Sequence, residues 1–267
     1  MSTINTNINS LNAQRALANS ASSLSISMAR LSSGLRVNSA KDDAAGLAIA
    51  ERMNTQTRGM NVAVRNCNDG ISLAQTAEGA LGAISNNLQR MRELAVQASN
   101  GTNTTADVAS LDNEYVLLAA ENSRVAAATT FNGQAVIAGT TFNFQVGANS
   151  TANDQVSVTG VGFTGSSLTL GTTSTTAFAE ISKLDTDIDA VTSARSTWGA
   201  TQNRFDTVIA NLRVGSENAA AARGRIMDAD YAAETANLSR AQVLQQAGTA
   251  MVAQANSSPQ TVLQLLK

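Results

Sequence analysis

At 267 residues, with 43% hydrophobic but only 14% charged side chains, the chain is long enough for one large core or two smaller ones. Its net charge of -2 and pI near 5.2 supply no basic field to gather phosphate backbones, which argues against nucleic-acid binding. The single cysteine excludes an internal disulfide, and the absence of histidine removes the commonest general base and metal ligand, so no cofactor or metal is expected.

The opening segment, MSTINTNINSLNAQRAL, has neither a basic leader nor an apolar run of signal-peptide length, and the chain nowhere has the run of about 18 apolar residues needed to span a membrane. Ile4, Ile8 and Leu11 begin an apolar stripe, which Leu17, Ala21, Leu24, Met28, Leu31 and Leu35 continue in steps of three and four. That spacing predicts a helix packing along a seam. Lys41-Asp42-Asp43 reads as a charged turn.

A longer seam runs Ala63, Cys67, Gly70, Ala74, Ala77, Leu81, Ile84, Leu88, Met91, Ala95, Ala98. Its small members let helices approach closely, and Cys67 on it is expected to be an inert packing group. Asp69-Gly70 resembles a turn signal, yet the seam passes through it in register, and the reading is helix. Asn100-Gly101 ends that helix, and Thr104 with Asp107 three residues later forms a capping box for the next, whose stripe is Leu111, Tyr115, Leu118, Asn122 and Val125.

Between Thr129 and Ala177 the composition shifts to Thr, Gly, Ser, Asn and Phe, and the alternation in Thr141 to Val146 and Gln155 to Val158 predicts a small β region. Helical spacing resumes with Ile181, Leu184, Ile188, Val191, Arg195, Trp198, Gln202, Phe205, Ile209 and Leu212, a seam with two polar members. A fainter row, Leu244, Gly248, Met251, Ala255, Ser258, Val262 and Leu265, reaches the end. The fold class is therefore mainly α, with long antiparallel coiled-coil helices from both ends and a small central β region.

From Met1 to Ala29 the only charged side chain is Arg15, and from Ala241 to Lys267 the only one is Lys267. Disordered tails are normally highly charged and poor in regularly spaced Leu, Ile and Met. Covering such a stripe is worth about 1.5–3 kcal/mol per large apolar side chain. Copies of the same chain are the natural cover, and isolated end helices would be marginal without it.

The residues at both ends resemble those of bacterial flagellin, the subunit of the flagellar filament. The resemblance rests on Ile4-Asn5-Thr6-Asn7, the run from Arg30 to Arg36, the run from Asn38 to Gly46, Asn68-Asp69-Gly70-Ile71-Ser72, Gln75 to Leu81 and Gln89 to Gln97. Later it rests on Gln202-Asn203-Arg204-Phe205, Arg225-Ile226, Asp230-Tyr231-Ala232, Ser239 to Gly248, and Pro259-Gln260 with Val262 to Lys267. Together these span roughly the first 130 and last 70 residues, far more than a short motif.

The resemblance implies a short flagellin without large outer domains, polymerising for swimming motility. It places residues 1–43 and 225–267 in an inner coiled-coil layer, with Lys41-Asp42-Asp43 in the link. Residues 44–128, 129–178 and 179–224 become the helices, β part and returning helix of a core domain. Ile4, Ile8, Leu11, Leu17, Leu24, Met28, Leu31, Leu35, Leu244, Met251, Val262 and Leu265 then form the assembly seams. The implied partners are further copies of the chain, the flagellar export apparatus and its chaperone, the filament cap and the hook-filament junction proteins. Export is expected to follow the flagellar type III route to an extracellular flagellum.

Gln89, Arg90, Leu94 and Glu114 match positions through which some flagellins meet the host Toll-like receptor for flagellin, and Arg90 and Leu94, four apart, are expected to share a helix face. O-linked sugars are often attached to Ser and Thr in the family's central region. A hook-filament junction protein and a free-standing secreted adhesin are the alternatives. Some flagellins carry a metalloprotease, but its His-Glu-x-x-His helix needs histidine. Asp228 and Asp230 with Tyr231 lack the converging ligands of a metal or acid/base site.

Overall fold

The computed structural model describes residues 6–160, 162, 163, 165 and 168–264, with side chains as far as residue 257. The elements run α1 (Ile8–Ser33), α2 (Ala44–Ala98), α3 (Thr105–Ala128), β1 (Thr130–Phe131), β2 (Gln134–Ala135), β3 (Thr141–Gln145), β4 (Gln155–Thr159), α4 (Ser174–Met227) and α5 (Tyr231–Gln264). Contacts group residues 1–55 with 219–267 in one unit and residues 56–218 in a second. No helix among the described residues is long and apolar enough to cross a membrane.

Local chemistry sets the helix ends. The Asn7 side chain accepts from the Ser10 N–H, and α1 closes at Gly34, whose φ of 72° is a left-handed conformation that costs glycine little. Asp43 Oδ1 accepts from the Gly46 N–H at 2.8 Å at the start of α2. Thr104 and Asp107 form the expected capping box of α3, their side chains satisfying each other's backbone N–H. Asp230 Oδ1 accepts from the N–H groups of Ala232 and Ala233 at the start of α5. That is a structural task for this carboxylate.

In the second unit, all eleven residues of the long seam from Ala63 to Ala98 are buried, and α2 runs unbroken through Asp69-Gly70. Gly70 is required by its neighbours: a Cβ there would lie 2.7 Å from the ring of Phe205 and 3.3 Å from that of Phe144. Those rings stack edge to face with centroids 5.2 Å apart. Helix α4 returns antiparallel to α2, as Arg92 pairs with Asp185 at 2.6 Å while Gln202 donates to Glu78 at 3.1 Å.

The α4 seam departs from expectation in its middle. The buried row is Leu184, Asp187, Val191, Ala194, Trp198, Thr201 and Phe205, so Asp187, Ala194 and Thr201 take the places expected for Ile188, Arg195 and Gln202. Arg195 and Gln202 instead stand at the edge of the seam, both beside Glu78. Small or short polar residues occupy the interior turn, and the long polar chains reach solvent.

Helix α3 adds Val108, Tyr115, Ala119, Asn122 and Ala126 to the core, with Leu111, Leu118 and Val125 half-buried at its rim. Buried Asn122 is satisfied by Asn87, which donates to it at 2.8 Å, and it donates in turn to Met91 Sδ at 3.5 Å. Two antiparallel hairpins complete the unit. Asn132 and Gly133, both at positive φ, form the turn between β1 and β2. Strands β3 and β4 pair Phe142 with Val158 and Phe144 with Val156, which sets the apolar members of both alternating stretches on one face. Asn66 Nδ2 ties this sheet to α2 by donating to the Gln145 carbonyl at 2.9 Å.

Candidate assembly surface

The first unit is built on the antiparallel pair α1–α5: Asn7 Nδ2 donates to the Ala255 carbonyl at 2.7 Å, Ser10 Oγ to Asn256 at 2.7 Å, and Arg30 faces Glu234 at 3.8 Å near the other end. Below the pair, Leu35 bridges to Asp228, the Arg36 N–H donates to the Met227 carbonyl at 2.6 Å, and the Ala229 N–H donates to the Gly34 carbonyl at 3.0 Å. Val37, Ala50 and Met227 fill a small core there, with Leu35 packed against it. The Tyr231 hydroxyl reaches the Leu31 carbonyl and would stand 3.2 Å from any Cβ added at Gly34. Asp42 folds the charged turn by accepting from Ser39 and Asn38, contacts that hold its carboxyl below the usual range.

The faces that α1 and α5 turn toward each other follow a strict heptad. On α1 it reads Ser10, Ala13, Leu17, Ser20, Leu24, Ser27, Leu31, and on α5 Glu234, Leu238, Ala241, Gln245, Gly248, Val252, Ala255, all buried or half-buried. Gly248 lets the helices close, since a Cβ there would meet Leu17 at 3.1 Å. Half of this inner seam is Ser, Ala or Gly.

The residues expected to form assembly seams therefore divide. Leu17, Leu24 and Leu31 lie half-buried on the inner seam, and Leu35 lies in the small core beside it. Ile8, Leu11, Met28, Leu244 and Met251 point outward and are 59%, 53%, 51%, 51% and 61% exposed. Ile26 and Val243, which the spacing did not single out, are exposed as well. Ile4 and Leu265 lie outside the described residues, and Val262 lies on α5 with its side chain outside them. Leu244 and Met251, seven apart, flank a groove of about 670 Å³ along the pair, lined by Ala13, Ala16, Ala247 and Gly248 among others. The sequence row through Leu244, Gly248, Met251 and Ala255 thus mixes two faces: Gly248 and Ala255 look inward, Leu244 and Met251 outward.

In the second unit, Gln89, Arg90 and Glu114 are exposed. Arg90 binds Glu114 and Glu93, each at 2.9 Å, and these hydrogen bonds, that of Glu114 foremost, raise the guanidinium pKa further. Leu94 corrects the expectation of a shared face: it is 1% exposed and belongs to the core, because position 94 adjoins the seam at Met91, Ala95 and Ala98. Cys67 is wholly buried, and desolvation pushes its thiol up to about 11.

The sequence profile of the bacterial flagellin N-terminal helical region matches residues 4–141, and that of the bacterial flagellin C-terminal helical region matches residues 181–266. The chain belongs to the bacterial flagellin family. It is 46% identical over 270 residues to a flagellin of Halalkalibacterium halodurans, with 99% of each chain covered. To a flagellin of Bacillus subtilis it is 39% identical over 302 residues, again with 99% of each covered. The crystal structure of Bacillus cereus flagellin matches 55% of this chain and 88% of its own, with a TM-score of 0.50 and 38% identity. As a short-form flagellin, the chain is a structural subunit of the bacterial flagellar filament.

Proposed function

We propose that the outward apolar rows of α1 and α5 carry the polymerisation. Ile8, Leu11, Met28, Leu244 and Met251 are uncovered in a single chain, although their inner neighbours are not. Each large side chain withdrawn from water is worth about 1.5–3 kcal/mol, gained only when another surface covers it. Neighbouring copies supply that surface, and the α1–α5 pair, with so little bulk in its own seam, is stabilised by the stack it joins. In this reading residues 1–43 and 225–267 form the inner layer of the filament, and residues 44–128, 129–178 and 179–224 form the domain outside it. The subunit is non-catalytic, leaves the cell by the flagellar type III route with its chaperone, and meets cap and junction proteins at the filament ends.

The single observation that carries the reading is this outward apolar exposure on both end helices. Replacing Leu11 and Leu244 together by Ser should leave the thermal midpoint of the monomer within a few degrees and abolish elongation on filament seeds, followed by light scattering and electron microscopy. Normal filaments from that variant would overturn it.

We further propose that exposed Gln89, Arg90 and Glu114 form the contact with the host Toll-like receptor for flagellin. Buried Leu94 supports that surface from beneath. Arg90→Ala should weaken binding of purified monomer to the receptor ectodomain while leaving its helix content unchanged; undiminished binding would remove the proposal.

A further inference from the structure

Methionine is the side chain in the uncovered rows whose polarity chemistry can change after synthesis. A peroxide delivers one oxygen atom to the thioether: a sulfur lone pair attacks one peroxide oxygen, the O–O bond breaks and an S–O bond forms. Sulfur is thereby oxidised by two electrons, the peroxide is reduced by two, and water leaves when the oxidant is hydrogen peroxide. The product, methionine sulfoxide, is a polar acceptor that loses free energy if buried against apolar carbon without a donor.

The structure sorts the methionines by access. Met91 and Met227 are buried, and Met91 Sδ already accepts from Asn122. Met53 and Met60 are half-buried, and Met1 lies outside the described residues. Met28 and Met251 are the two described methionines more than half exposed. Both also sit beside the inner α1–α5 seam rather than in it, so a sulfoxide at either leaves the buried contacts of that seam in place. Met251 in addition borders the groove formed with Ala13, Ala16 and Gly248.

We propose that Met28 and Met251 are an oxidation-sensitive checkpoint on assembly: hydrogen peroxide converts them to sulfoxides in the free subunit, and a subunit so marked folds but is refused by the growing filament. The inference rests on the assembly surface proposed above. Subunits already stacked are protected, because the same contacts that recruit them cover both sulfur atoms. Reduction of the sulfoxides by a methionine sulfoxide reductase restores the subunit.

The test uses the full unassembled chain treated with hydrogen peroxide, with peptide mass spectrometry to follow each methionine and seeded elongation as the readout. Sulfoxide should appear at Met28 and Met251 well before Met91 and Met227, and elongation should slow by about tenfold or more, as expected for burying an unpaired polar group. Met28→Leu/Met251→Leu should elongate equally with and without peroxide, and Met28→Gln/Met251→Gln should elongate slowly without it. Oxidised wild type that elongates at the untreated rate overturns the proposal, as does a Leu/Leu variant that peroxide inhibits equally. The untreated Leu11→Ser/Leu244→Ser chain reports on the surface separately: if it fails to elongate while fully oxidised wild type elongates normally, the checkpoint falls and the surface stands.

Discussion

The unit of residues 56–218 and the α1–α5 pair are laid out on the same seven-residue repeat but filled with different side chains. At the interior positions of the first stand Leu81, Ile84, Leu88, Met91, Tyr115, Trp198 and Phe205, nearly all wholly buried. At the interior positions of the second, Ser10, Ser20, Ser27, Ala241 and Gly248 share the row with Leu17, Leu24, Leu31, Leu238 and Val252, which are only half-buried, while further large groups, Leu11, Met28, Leu244 and Met251, face outward. The repeat fixes which residues meet; the size of those residues decides whether the meeting is sufficient by itself. A seam complete within one chain makes a domain, and a seam thin inside and apolar outside makes a component of a larger stack.

Substitution of Trp198 should break the comparison most sharply. Trp198→Ala removes the largest buried side chain of the second unit and should cost about 3–5 kcal/mol, seen as a lower thermal midpoint by circular dichroism. Leu24→Ala on the half-buried inner seam of α1 should cost the monomer only about 1 kcal/mol. Equal losses from the two would mean the seams are equally complete. An intermediate effect is expected from Gly70→Ala, whose added methyl must displace the Phe144–Phe205 pair, at about 1–3 kcal/mol.

The smallest effect is electrostatic. The Asp107 carboxyl is held below its ordinary value of 3.8, first by the Thr104 hydroxyl and then by the Thr104 N–H. Its stabilisation is therefore present above pH 3.8 and disappears as the pH falls through the lower folded value. Asp107→Asn should melt slightly below wild type at pH 7, and the two should converge in strong acid; a gap that persists there would assign the effect to shape rather than charge.

The α2 seam was legible residue by residue because its interior positions are all apolar or small, and the capping box of α3 announces itself in four residues. The α4 seam was legible at Leu184, Val191, Trp198 and Phe205 but not between them. A preference for apolar residues selects Ile188 over Asp187, whereas the structure buries Asp187 and leaves Ile188 half-buried at the rim. The same bias hid the inner face of α1, where Ser10, Ser20 and Ser27 hold heptad positions that hydrophobicity alone passes over. Holding the frame fixed from Leu17, Leu24 and Leu31 would have found them. The family resemblance groups Leu94 with Arg90 as a contact position, whereas its spacing from Met91 and Ala98 puts it in the core. Asn132-Gly133 is a turn signal legible in the sequence, and its two positive-φ residues form the hairpin between β1 and β2.

The position of Cys67 has a practical consequence. Its thiol is sealed between helices and, at a pKa of about 11, almost entirely protonated at neutral pH. A maleimide dye should ignore it in the folded protein, so one new cysteine at an exposed site such as Leu117 would give a uniquely addressable label without first removing the native sulfur. Individual subunits could then be followed by fluorescence as they join a living flagellum.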